Sequence, residues 1–266
     1  MRPYWALFRA RARTLFQYRI AAMAGLVTQW VFGFIMISVL TAFYGSTTAE
    51  QPMTLAQTVT YTWLGQAMLG TLPWNIDGET GNSIRNGTIA YDLTRPLDLY
   101  SHWFARLFAY KTAPTLLKSI PMFIIATLFM PEQFAMQWPA PASFFAWLLS
   151  IVGVVVLSCS ITALMQTSLF WTVTGDGVTR IVPHIVTLFS GMVIPLPLMP
   201  DWMQKFLHYQ PFSGLVSTPN LLFCEVLPPS AVWETLALQL IWSAVFIVCG
   251  RFVLQKGLNR LTVAGG

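Results

Sequence analysis

The stretch from Ile20 to Tyr44, IAAMAGLVTQWVFGFIMISVLTAFY, contains no Asp, Glu, Lys or Arg. A helix needs about 20 mostly apolar residues to cross the hydrocarbon core of a bilayer. The apolar core of a secretory signal is normally about 7–15 residues, so this longer run reads as a retained membrane helix. Composition extends the point to the whole chain. Of 266 residues, 55% are hydrophobic and 9% charged, whereas a soluble domain carries roughly a quarter charged residues. Such a chain cannot wet its own surface, and most of its solvent is lipid. The length suits one helical membrane domain.

Five further apolar runs follow: Met53–Trp74, which is more polar, then Trp103–Met130, Ser143–Val173, Thr179–Met199 and Val232–Leu254. At 1.5 Å per residue the fourth is roughly 46 Å long and must tilt or project beyond the membrane. Basic residues set the orientation. Arg2, Arg9, Arg11, Arg13 and Arg19 precede the first run, and Arg85, Arg95, Arg106 and Lys111 occupy the second connection and its flanks. Arg180 lies in the fourth connection, and Arg251, Lys256 and Arg260 close the chain. With six spans all of these fall on one side, leaving Lys205 opposite and Lys118 inside the third span. The bias predicts that both termini and the even-numbered connections are cytoplasmic. A five- or seven-span chain would scatter the same charges.

The predicted fold is therefore an all-α membrane protein with a six-span domain over 20–266. Residues 1–19 alternate Arg with Trp5, Leu7, Phe8, Leu15 and Phe16. That pattern suits an amphipathic interfacial helix facing anionic headgroups; the plainer reading is a loose basic tail. There is no internal repeat, and the two halves do not mirror one another as in many secondary transporters.

Several chemistries are missing. None of the lysines (Lys111, Lys118, Lys205, Lys256) follows a glycine, so the Gly-Lys-Ser/Thr core of a phosphate-binding loop is absent. There is no His-Glu-x-x-His, Gly-x-Ser-x-Gly or Cys-x-x-Cys, and His102, His184 and His208 stand far apart. No catalytic residue, no metal site and no directly bound cofactor is predicted. Cys159, Cys224 and Cys249 offer no disulfide framework. Apart from Glu234 at the very start of the last run, the spans hold no Asp or Glu, the groups that usually bind a coupling ion. Uphill transport would need energy from elsewhere. The net charge of +5 follows the membrane rule, and no nucleic-acid partner is predicted.

Polar residues recur at helical spacing. Thr54, Thr58, Thr62, Gln66 and Gly70 mark the second span, Ser158, Thr162 and Gln166 the fourth, and Pro183, Thr187 and Gly191 the fifth. Such faces either pack against other helices or line a path for substrate. Thr58, Thr62, Gln66, His184 and Thr187 are the pathway candidates. Lys118 is expected to snorkel, and His184 beside Pro183 also fits a hydrogen-bonded structural histidine.

Two connections are longer than a turn requires. In the second, Asp77 can cap a short helix, Glu79 sits in its first turn and Gly87 can close it. This is either a docking element for a cytoplasmic partner or a solvated linker. The last external connection, Pro200–Ala231, combines five prolines with Trp202, Phe206, Leu207, Tyr209, Phe212 and Leu215. Short helices dipping back into the membrane explain those residues; helices lying flat at the interface are the alternative.

These two segments carry a resemblance. Glu79, Ile84-Arg85-Asn86-Gly87-Thr88-Ile89 and Leu93-Thr94-Arg95-Pro96-Leu97 are similar to the cytoplasmic coupling segment of ABC type-2 exporter permeases. Ser190-Gly191, Ile194-Pro195-Leu196, Pro200-Asp201-Trp202, Gln210-Pro211-Phe212 and Pro219 resemble the end of that family's fifth span and its external re-entrant region. The resemblance implies a transmembrane subunit of the bacterial inner membrane with a type V exporter fold. Its partners would be a second permease, identical or related, and a cytoplasmic ABC ATPase dimer that binds the ATP and Mg. It also implies that Glu79, Thr80, Ser83, Ile84 and Arg85 contact the ATPase. Pro195, Leu196, Pro200, Trp202, Phe206 and Phe212 would form an external gate. Gly78 and Gly81 weaken the coupling helix, which predicts that it orders on the ATPase. A non-transporting membrane scaffold or assembly factor is the alternative function. Substrate does not follow from fold.

Overall fold

The computed structural model describes residues 2–17, 19–94, 96–171 and 176–259. Arg95, the Thr172–Val173 end of the fourth apolar run and Arg260 lie outside the described residues. Among the described residues the chain is all-helical and has no strand. The helices are α1 (Arg2–Gln17), α2 (Arg19–Ser46), α3 (Leu55–Ala67), α4 (Gly78–Arg85), α5 (Ala90–Leu93), α6 (Leu99–Ile124), α7 (Pro141–Thr167), α8 (Asp176–Phe189), α9 (Asp201–Tyr209), α10 (Ser217–Phe223) and α11 (Val232–Leu258).

Among the described residues, four helical stretches are long and apolar enough to cross a membrane: Met23–Ser46, Leu99–Phe129, Pro141–Phe170 and Pro229–Leu258. Gly177–Phe189 in α8 is a shorter apolar helix. Two of the six expected runs are thus only partly helical. The second stops at Ala67 and becomes a 3-10 turn at Leu69–Thr71. Pro73 cannot donate to a continuing helix, and Leu72 before it is extended, with ψ 149°. The fifth stops at Phe189 rather than Met199. Gly191 there takes φ +84°, a left-handed conformation open to glycine, and Pro195 and Pro197 follow.

The third run begins earlier than expected, because Asp98 caps α6 by accepting the Ser101 N–H at 2.9 Å. Pro114 and Pro121 lie inside this helix, and after Pro121 it widens into a π turn at Ile125–Phe129. A proline that withholds its N–H is a recognised cause of such a distortion. α3 begins with a capping box: Thr54 Oγ1 accepts the Gln57 N–H and Gln57 Oε1 accepts the Thr54 N–H at 2.9 Å.

Helix packing depends on a few close approaches. α7 and α11 run parallel, with Gln239 seated over Gly153 and Phe170 over Gly257. The start of α6 touches α11, with Tyr100 over Gly250. The core gathers Tyr61, Trp63, Trp147 and Phe223, and all of α10 is buried. α9 is different: its Trp202 is 81% exposed. α1, α4, the start of α6 and the end of α11 meet at one end of the bundle, hereafter the basic end. The starts of α3 and α7 meet the end of α10 at the other, where Gln57 Nε2 donates to the Cys224 carbonyl and Glu225 accepts from Ala140 N and Ser143 Oγ.

Candidate functional site

At the basic end, α4 forms a ledge. Asp77 stands at its N-cap position, but its side chain accepts no backbone N–H from the helix. The expected cap is replaced by stronger partners. Asp77 Oδ1 accepts from Arg11 at 2.9 Å and Oδ2 from Arg106 at 2.9 Å. Thr80 Oγ1 also donates to Oδ2, at 2.9 Å. The Asp77 side chain is only 2% exposed, and a buried carboxylate needs such partners. Arg11 and Arg106 both extend to Glu79 as well, so α1 and α6 are tied to α4 by two carboxylates.

Glu79 is 62% exposed. Its partial burial opposes ionisation, but the hydrogen bonds and charges of Arg11 and Arg106 outweigh that and hold its carboxyl below the usual range. Arg11 is affected in the opposite sense: burial disfavours its charge, yet Glu79 and Asp77 together raise its pKa.

The sequence predicts a coupling helix that orders on a partner because of Gly78 and Gly81. In the structure α4 is a helix of 8 residues, about two turns. Gly81 faces Ile76, where an added Cβ would lie 2.8 Å from Cδ1, so this glycine permits close packing. Ile84 and Ile89 are buried against Leu99, Trp103 and Leu169, at the start of α6 and just beyond α7. Gly87, at φ +72°, closes the helix. Thr80 and Ile84 therefore point inward, Ser83 is half-buried, and Glu79 and Arg85 face outward beside Asn82 and Asn86.

Further into the bundle, α2, α3, α6 and α8 border a widely open cavity of about 920 Å³. Its walls are mostly apolar, but Lys111, Lys118, Arg180 and His184 line it. No Asp or Glu lines it among the described residues. Lys111, placed by sequence in the basic flank, is fully buried and donates to the Leu72 carbonyl at 2.6 Å. The Nζ of Lys118 lies over Gly25, near the start of α2, where an added Cβ would sit 2.7 Å from it. Gln29 and Trp74 also line it; Gln29 Oε1 and Trp74 Nε1 are buried and have no hydrogen-bond partner.

The pathway candidates separate here. Gln66 and His184 line the cavity. Thr58 and Thr62 turn into the bundle, where Thr58 Oγ1 meets Tyr44 Oη at 2.8 Å and Thr62 Oγ1 donates to the Thr58 carbonyl at 2.8 Å. Thr187 Oγ1 donates to the Pro183 carbonyl at 2.7 Å and lies off the cavity lining.

The gate candidates also divide. Pro195 and Leu196 are buried in a loop held by Tyr61 Oη on the Gly191 carbonyl and Gln204 Nε2 on the Leu196 carbonyl. Pro200 and Trp202 are exposed. Trp202, Phe206 and Phe212 line a separate surface hollow of about 780 Å³ with Phe189.

Sequence reasoning missed Arg11, Asp77 and Arg106 as one cluster, and Lys111, Gln29 and Trp74 as cavity residues. The acidic pair Asp77 and Glu79 beside an arginine-rich first helix was the available signal for the cluster. Nothing in spacing marks Trp74 as an unpartnered donor.

A family model described as ABC-2 family transporter protein matches residues 27–265. No curated protein and no solved structure matches the chain.

Proposed function

The chain belongs to the ABC-2 family of transporter proteins, and on that footing we propose that it is the permease subunit of an ATP-driven exporter. It is a multi-pass membrane protein. Two such permeases would pair in a bacterial inner membrane and dock on a cytoplasmic ATPase dimer that binds ATP and Mg. The basic end, where α1 and the end of α11 lie, would face the cytoplasm under the positive-inside rule. α1 would lie along the cytoplasmic interface.

Six crossings fit this orientation if α3 and α8 join the four longer spans. α3 is only about 20 Å long at 1.5 Å per residue, but Thr58–Ala67 are all buried. A helix enclosed by protein need not match the thickness of lipid. α8 would complete its crossing through the bent segment that follows Phe189. The loop around Pro195 and Leu196, with α9 and α10, would form the external gate.

The observation that carries the coupling role is the build of α4. It presents Asn82, Arg85 and Asn86 outward, while Ile84 rests on the start of α6 and the end of the α7 segment. A force on its outer face would pass directly into two long helices. Binding of ATP by the partner could then shift α6 and α7 and alternate access to the cavity.

The test is co-purification followed by ATPase assay in proteoliposomes. The wild-type chain should bring down an ATPase with a phosphate-binding loop and stimulate it. Arg85→Glu and Asn82→Arg should abolish stimulation while leaving membrane insertion intact. Wild-type stimulation in both variants, or no ATPase in the purified complex, overturns the proposal.

A further inference from the structure

We infer that the cavity between α2, α3, α6 and α8 binds an amphipathic anion, an apolar body carrying one phosphate or carboxylate head. The inference rests on the permease reading above and names the substrate class of that same pathway. Its basis is an imbalance of charge and hydrogen bonding. Lys111 is fully buried, and the Leu72 carbonyl satisfies one of its three donors. Lys118 lies along α2 and lines the same space, and no carboxylate side chain lines it among the described residues. Cations held against apolar walls gain most from an anion that enters the same low-dielectric space.

The neutral polar groups fit the same occupant. Trp74 lines the cavity and its Nε1 is a buried donor without a partner. A change of its side-chain rotamer would present that donor to an anionic oxygen for a short, charge-assisted bond. Gln29 is 6% exposed and its Oε1 lacks a donor, which suits a hydroxyl on the head group. Around them Phe32, Leu69 and Met192 supply apolar surface, and a cavity of about 920 Å³ is within the range of small-molecule sites. A cationic or a neutral amphiphile would leave the lysines uncompensated.

Purified protein in phosphatidylcholine nanodiscs is offered octyl phosphate, octyl trimethylammonium and octyl glucoside at equal concentrations below their micellar limits. Native mass spectrometry counts the bound copies. Octyl phosphate is expected to bind at least about tenfold more tightly than the other two. Lys118→Gln should weaken it about tenfold, equivalent to about 1.4 kcal/mol, and Trp74→Phe severalfold. Lys118→Glu should turn the preference toward the trimethylammonium head.

Equal binding of the three heads, unchanged affinity in both Lys118→Gln and Trp74→Phe, or exclusion of all three by a second copy of the chain overturns the inference. Competition with phosphatidylglycerol separates two sources of the same chemistry: displacement identifies a bilayer lipid, and its failure a soluble amphiphile. ATPase capture is scored on the same preparation. Capture without anion preference refutes the substrate class alone, and anion preference without capture refutes the permease reading alone.

Discussion

The ledge and the cavity are built on the same helix, and they treat charge in opposite ways. At the start of α6, Arg106 meets Asp77 and Glu79, and Arg11 completes a cluster in which each cation reaches two carboxylates. Five residues on, Lys111 meets a backbone carbonyl and the face of the Tyr110 ring but no carboxylate, and further along Lys118 faces a cavity lined by no acid among the described residues. Matched charges fix elements to one another, because breaking either partner leaves the other stranded. Unmatched charges do little for the fold and keep their attraction for a ligand. Substitutions should therefore cost stability at the ledge and binding at the cavity.

The largest effect is expected from Asp77→Ala. It removes the buried acceptor shared by Arg11, Arg106 and Thr80, and loss of one partner from a buried ion pair costs about 3 kcal/mol or more. Thermal unfolding in detergent should shift down by several degrees. Trypsin should also cut α1 at Arg9–Arg13 far faster than in the wild type, as α1 loses its hold on α4. Equal cutting rates would show that α1 is held by its apolar contacts, Phe8 on Phe108 and Ala12 beside Ala109, and not by the ledge.

Arg106→Lys should cost less, about 1.5 kcal/mol, because a lysine keeps the charge but not a guanidinium able to bridge Asp77 and Glu79. The ledge should also respond to acid. The Glu79 carboxyl is held below its ordinary value by Arg11 and Arg106 acting against its partial burial. Its contribution is then complete above the unfolded-state pKa, about 4.3, and is lost as pH falls through the lower folded value. Protection of the α1 amides, measured against the intrinsic exchange rate at each pH, should stay constant from pH 8 to 5 and fall only below about pH 4. A loss of protection already at pH 6 would point to a different group.

The cavity supplies the contrast. Lys118→Met should leave the unfolding free energy within about 0.5 kcal/mol of wild type, since it removes a cation without stranding an anion. Lys111→Met should also be nearly neutral, with one lost hydrogen bond, about 1 kcal/mol, offset by relief of a buried charge. Destabilisation by several kcal/mol in either variant would mean that the cavity cations are structural, and the distinction between the regions would fail.

This contrast explains which parts of the molecule were legible in the sequence. Apolar runs announced the long helices because lipid imposes a minimum length on any segment exposed to it. They were less informative for α3 and α8, where Pro73, Gly191 and Pro195 cut the helix short inside an apolar run. Hydropathy counts residues and does not register where the backbone turns. The α4 helix was visible from Glu79 and Gly87, but Asp77 looked like a cap because its competing partners, Arg11 and Arg106, are distant in sequence. Lys111 looked like a flanking charge for the same reason: the carbonyl that receives it belongs to Leu72, in the turn after α3.

The smallest expected effect bears on the polar stripe of α3, which sequence periodicity treats as one face. Thr62 Oγ1 donates to the carbonyl of Thr58 in its own helix, whereas Gln66, one turn on, lines the cavity. Thr62→Val preserves shape and removes only a hydroxyl already satisfied within the helix. The loss should be about 0.6 kcal/mol or less, the average for polar contacts inside membrane bundles, with transport unchanged. Gln66→Leu removes a polar group from the cavity wall and should weaken octyl phosphate binding while sparing stability. If the two substitutions instead act alike on binding, α3 presents a continuous polar face to the ligand, and the path must extend past the cavity toward Thr58.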